Sequence, residues 1–103
     1  MSTNEVKNIV KNYARVLSAN GFLFSNIYLF GSYAAGNANK DSDIDVAVIA
    51  KNTNNYFDKK MLLWKLAAKA DSRIEPTLID TKDFKTCGTQ MAFEAQKTGV
   101  KVV

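Results

Sequence analysis

The chain has 103 residues, 47% of them hydrophobic and 23% charged, with a formal net charge of +4; this is the size and balance of a single globular domain spanning 1–103. The one cysteine, Cys87, excludes an internal disulfide, and the lack of any histidine excludes a Cys/His nucleophile, a histidine general base and a histidine-ligated zinc. No apolar run approaches the roughly 20 residues of a membrane span, so no membrane association is expected. The polar start "MSTNEVKN" lacks a signal-peptide core and a lone thiol suits a reducing compartment, which together predict a cytoplasmic protein. The lysines are scattered along the chain and are read as solvated surface, with no direct nucleic-acid binding expected.

In chain order, Val6, Ile9, Val10, Tyr13, Val16 and Leu17 recur at helical spacing and predict a helix over 2–19, opened by a Ser2/Glu5 capping box and stopped by Asn20-Gly21. A short β-rich run at 26–30 leads into "GSYAAGNANK", small and turn-prone, with room for one helical turn. "SDIDVAVIA" at 42–50 is apolar on both faces and predicts a central strand carrying Asp43, Asp45, Ala47 and Ile49 on one side. Asp58 is positioned to cap a helix to residue 70. "RIEPTLI" at 73–79 predicts a third strand, with Pro76 marking an edge or a bulge. A helix over 89–97, a stop at Gly99 and a final short strand in "VKVV" complete the pattern.

The chemistry concentrates in 30–48. Two aspartates at i and i+2 on a strand share a face about 7 Å apart and raise each other's pKa unless a cation compensates them. Oxygen ligands without histidine or thiolate select a hard ion, Mg²⁺ in the usual case. Ahead of them Gly31 permits close backbone approach, Ser32 offers an N–H and a hydroxyl, and a short helical turn presents further N–H groups to an anion. A phosphate cradle beside a metal-binding carboxylate pair is the equipment for a nucleoside triphosphate.

Gly31-Ser32 followed by Asp43-x-Asp45 resembles the signature of the polymerase-β-like nucleotidyltransferase superfamily, and nearly the whole chain is similar to its small members, the minimal nucleotidyltransferases (MNT). The resemblance implies an α/β (α+β) palm fold with a mixed central sheet flanked by helices. It implies Gly31 and Ser32 as nucleotide-binding residues and Asp43, Asp45 and a third carboxylate, Glu75, as catalytic Mg²⁺ ligands. It further implies transfer of AMP from ATP to a hydroxyl, in the antitoxin role, on a tyrosine of a helical HEPN-domain toxin. One position departs from the pattern: Ala35 stands where many relatives carry a basic residue. Two alternatives are kept, a non-catalytic module that neutralises or scaffolds a partner by contact, and a stand-alone enzyme on a small-molecule acceptor. Homo-oligomerisation is left open. Tyr33 is expected to pack, Trp64 to be partly buried, Asp41 to cap a loop, and Lys40, Lys59 and Lys60 to be solvated rather than on phosphate.

Overall fold

A computed structural model describes residues 2–39 and 41–103; Lys40, and with it the expectation for its side chain, lies outside them. The first helix, α1 (Thr3–Ala19), opens as its sequence dictates. Ser2 Oγ accepts from Glu5 N at 3.2 Å and Glu5 Oε1 accepts from Ser2 N at 3.3 Å, satisfying two otherwise orphaned donors. Val6, Val10, Tyr13, Ala14 and Leu17 form its buried stripe.

There follow β1 (Asn26–Phe30), the single turn α2 (Ser32–Ala35), β2 (Ile44–Ala50), α3 (Tyr56–Ala70), β3 (Ile74–Asp80), α4 (Thr81–Thr86), α5 (Gln90–Thr98) and β4 (Val100–Lys101). The sheet order is β3-β2-β1-β4. β2 runs parallel to β3 and antiparallel to β1, while β4 pairs antiparallel with β1. The expected mixed sheet with β2 in its interior is therefore present. Its two faces are covered unequally. Ile27, Leu29, Ile44, Val46 and Val48 pack under α1 and α3 in the larger core, and Phe30, Ala47, Ile49 and Ile79 pack under Ala92 and Ala95 of α5. The Tyr13 hydroxyl, donating to Leu63 O at 2.9 Å, ties α1 to α3 inside the larger core, and burial pushes its pKa up.

β3 is an edge strand, as Pro76 requires. Arg73 O accepts from Ile44 N at 2.8 Å, so odd-numbered residues of β3 address β2 and the donorless nitrogen of Pro76 faces outward, where no ladder partner is lost. Two expectations are corrected. Asp58 does not cap α3: Asn55, in the left-handed region at φ 57°, precedes a helix that begins at Tyr56, and Asp58 lies in its first turn, favourably placed on the helix dipole. An additional helix, α4, follows β3 directly, capped by Asp80, whose carboxylate accepts from Lys82 N at 2.8 Å.

Candidate active site

The register of β1 on β2 sets Phe30 opposite Asp45, and that of β2 on β3 sets Asp45 beside Glu75. Three segments distant in sequence thus meet at one end of the sheet. Asp43, exposed, precedes β2 by one residue, while Asp45 and Glu75 are half-buried within their strands.

Gly31 turns the chain out of β1 with φ 71° and ψ −148°, a conformation L-residues avoid. A side chain there would also have no room, because its Cβ would overlap Asp45 Oδ2 and stand 3.1 Å from Asp45 Cγ. The glycine turn and the carboxylate are in direct apposition. Behind Gly31 the backbone closes α2 through Ala35 N donating to Gly31 O at 3.0 Å. Ser32, half-buried at the start of that turn, makes no side-chain hydrogen bond among the described residues, so its hydroxyl remains open to a ligand. Tyr33 packs against the larger core as expected.

The electrostatics follow from the crowding. Burial is the first cause that pushes Asp45 above the usual carboxylate range, followed by the charge of Asp43; a hydrogen bond with Glu75 partly offsets them, and Glu94 adds to the rise. Glu75 is raised by burial, then by the charges of Asp43 and Asp45, and it is hydrogen-bonded to both. Among the described residues no group of three or more carboxylates or thiols is disposed to enclose a metal ion. The carboxylates of Asp43, Asp45 and Glu75 crowd one another instead, the charge of Asp43 bearing on both of the others. As a donor set they suit a hard divalent cation, since they offer only oxygens and their mutual repulsion is what such a cation relieves.

Two details differ from the sequence-based reading. Asp41 is not the cap of its loop: Asn39 Oδ1 accepts from Asp41 N at 2.8 Å, and Ser42 Oγ accepts from Asn39 N at 2.9 Å. Glu94 on α5 is a fourth carboxylate whose charge reaches Asp45; the periodicity of α5 shows that Ala92 and Ala95 point inward, but not which strand they meet. Lys59 donates to Asn52 O, beyond the far end of β2 from the carboxylates. An open groove of about 530 Å³ beside α1 and the C-terminal segment, lined by Lys11, Arg15, Phe24 and Val102, contains none of the carboxylates.

The family profile "Polymerase beta, Nucleotidyltransferase" matches residues 4–103. The protein adenylyltransferase MntA of Shewanella oneidensis is 42% identical over 60 residues, 58% of this chain; the match spans 42% of that relative's length. A chain in the structure of a toxin–antitoxin with AMP-PNP is 30% identical with a TM-score of 0.65, covering 94% of this chain and 72% of that one. A chain in the structure of a tri-AMPylated Shewanella oneidensis HEPN toxin in complex with MNT antitoxin is 26% identical with a TM-score of 0.57, covering 99% of this chain and 72% of that one.

Proposed function

Because the chain belongs to the polymerase-β nucleotidyltransferase family, we propose that it is a Mg²⁺-dependent nucleotidyltransferase that moves AMP from ATP to a tyrosine hydroxyl of a helical HEPN-type partner, as an antitoxin. The observation that carries this reading is the apposition of Gly31 with Asp45, whose strand neighbour is Glu75. It sets the glycine turn that opens α2 directly against a carboxylate cluster with a deficit of positive charge. The similarity to a protein adenylyltransferase and to chains of toxin–antitoxin complexes supports the acceptor class.

Asp43, Asp45 and Glu75 would hold the metal. When bound, the ion would neutralise phosphate charge and polarise the reacting phosphoryl group. The N–H groups following Gly31 and the Ser32 hydroxyl would bind the triphosphate oxygens and hold them still. Transfer forms a bond between the acceptor oxygen and the α-phosphorus and breaks the bond from that phosphorus to the oxygen bridging to the β-phosphate, releasing pyrophosphate. The acceptor proton would pass to a Glu75 carboxylate oxygen.

A second reading, neutralisation by contact alone, draws on Ala35, which leaves α2 without a basic side chain. One pair of measurements separates the two. Asp43→Asn with Asp45→Asn is expected to abolish transfer of label from ATP to the partner while the far-ultraviolet circular dichroism stays that of wild type. If that variant still protects cells from the partner toxin as fully as wild type, protection is by contact and the catalytic role is lost.

A further inference from the structure

α5 crosses the face of the sheet that carries the carboxylates. Ala92 and Ala95 are buried with Phe30, Ala47, Ile49 and Ile79 in the smaller core. The start of the helix is placed by Met91, which lines one cavity with Thr77 and Ile79 of β3. Its end is placed by Gly99, whose N–H donates to Ala95 O at 3.0 Å and where a Cβ would overlap that carbonyl. The chain then enters β4 opposite Leu29, next to the Phe30 that pairs with Asp45. α5 therefore runs from the Ile79 end of the sheet toward the carboxylate end. Glu94, three residues after Met91, lies on the same flank of the helix and nearer the carboxylates.

Glu94 is half-buried, and its carboxylate accepts from Gln90 Nε2 at 3.3 Å. It forms no ion pair among the described residues, where the single pair is Arg73 with Asp71, although Lys97 stands three residues on. Its charge bears on Asp45, whose hydrogen-bonded carboxyl neighbour is Glu75 instead. A negative charge held beside three others costs stability unless a cation offsets it. From this placement we infer that Glu94 is a positioning residue of the cation site: from α5 it adds a fourth negative charge, outside the ligand set, that tightens a divalent ion held by Asp43, Asp45 and Glu75. The role rests on the divalent cation of the proposed function. A carboxylate that is not a ligand still attracts a doubly charged ion, and more strongly on the flank of a packed helix than in water. Mg²⁺, which keeps several of its waters, is held in this way without direct contact. A place in the phosphate cradle is excluded by sign, because Glu94 would repel the triphosphate. Since the attraction acts through space, it needs the charge of Glu94 and not its shape.

The test titrates the full chain with Mg²⁺, and separately with Mn²⁺, without nucleotide or partner. Glu94→Gln keeps the side chain's size and its hydrogen bond with Gln90 and removes only the charge. It is expected to weaken binding of both ions by about three- to tenfold at low ionic strength, where the screening length is roughly 30 Å, and to lose most of that difference near 1 M salt, where it is roughly 3 Å. Glu94→Asp should retain most of the wild-type affinity, and Asp58→Asn on α3, across the sheet, all of it. Without metal, Glu94→Gln should melt no lower than wild type, because a repulsion has been removed; with saturating Mg²⁺ its melting temperature should rise less. Wild-type affinity in Glu94→Gln at low salt would overturn the inference and leave the proposed activity standing. Weakened binding that is indifferent to salt, in a variant that melts lower without metal, would mean that Glu94 holds α5 in place, and would overturn it equally. No divalent-ion binding by wild type would sink the metal assignment and the inference with it.

Discussion

At Gly31 two independent constraints fall on one Cα. Its φ of 71° disfavours any L-side chain, by roughly 1–2 kcal/mol, and the space a Cβ would need is held by the Asp45 carboxylate. Gly31→Val is therefore expected to displace Asp45 as well as strain the turn, and to lose both ATP binding and Mg²⁺ binding. Ser32→Ala should keep Mg²⁺ binding, since it touches neither carboxylate strand, and lose one charge-assisted hydrogen bond to phosphate, worth about 1.5–3 kcal/mol or roughly ten- to a hundredfold in nucleotide-dependent rate. Isothermal titration with each ligand distinguishes them; wild-type ATP affinity in Gly31→Val would show that the turn binds no phosphate. The Gly31-Ser32 and Asp43-x-Asp45 pattern is legible in the sequence because strand alternation alone puts both aspartates on one face. The contact between Gly31 and Asp45 is not, since it depends on the antiparallel register of β1 on β2.

Elements show the same division between local and long-range information. The helices α1 and α5 and the strands β1 to β3 carry periodicity over enough residues to be read directly, and the end-capping of α1 is written in Ser2 and Glu5. α4 has six residues with one aromatic, Phe84, and no repeat to detect. Its one local signal is Asp80, which accepts from Lys82 N at the helix start and from Thr53 Oγ1 across to the β2–α3 loop. Asp80→Ala should therefore cost about 1 kcal/mol for the cap, a fall of roughly 4–8 °C in melting temperature for a domain of this size. Because Asp80 sits at the opposite end of β3 from Glu75, ATP and Mg²⁺ affinities should be unchanged. A loss of affinity in Asp80→Ala would show that the two ends of β3 are coupled.

For the whole molecule the carboxylate cluster opposes folding, and the sign can be worked out. Asp45 and Glu75 are both raised above their ordinary values, by burial first and by like charge next. Raised carboxyl groups favour the fold while protonated, below their unfolded values of about 3.9 and 4.3, and that contribution is lost as pH rises through the folded values. Asp71, lowered first by its hydrogen bond with Arg73, acts in the opposite sense and favours the fold above its unfolded value. At neutral pH without metal, Asp45→Asn with Glu75→Gln should therefore melt higher than wild type. Screened interactions of this kind are worth about 0.2–1 kcal/mol, or roughly 1–6 °C, and the difference should shrink toward pH 4 as the wild-type carboxyls take up protons. Mg-ATP should reverse the order. At about a hundred times its dissociation constant a ligand adds roughly 2.7 kcal/mol, so wild type should gain on the order of 10 °C while the double variant gains little. Thermal scans at pH 4 and pH 7, with and without Mg-ATP, check all of these signs together. A variant that melts lower than wild type at pH 7 without ligand would mean that the hydrogen bonds of Glu75 to Asp43 and Asp45 hold β2 to β3, and that the cluster serves the fold instead of a cation.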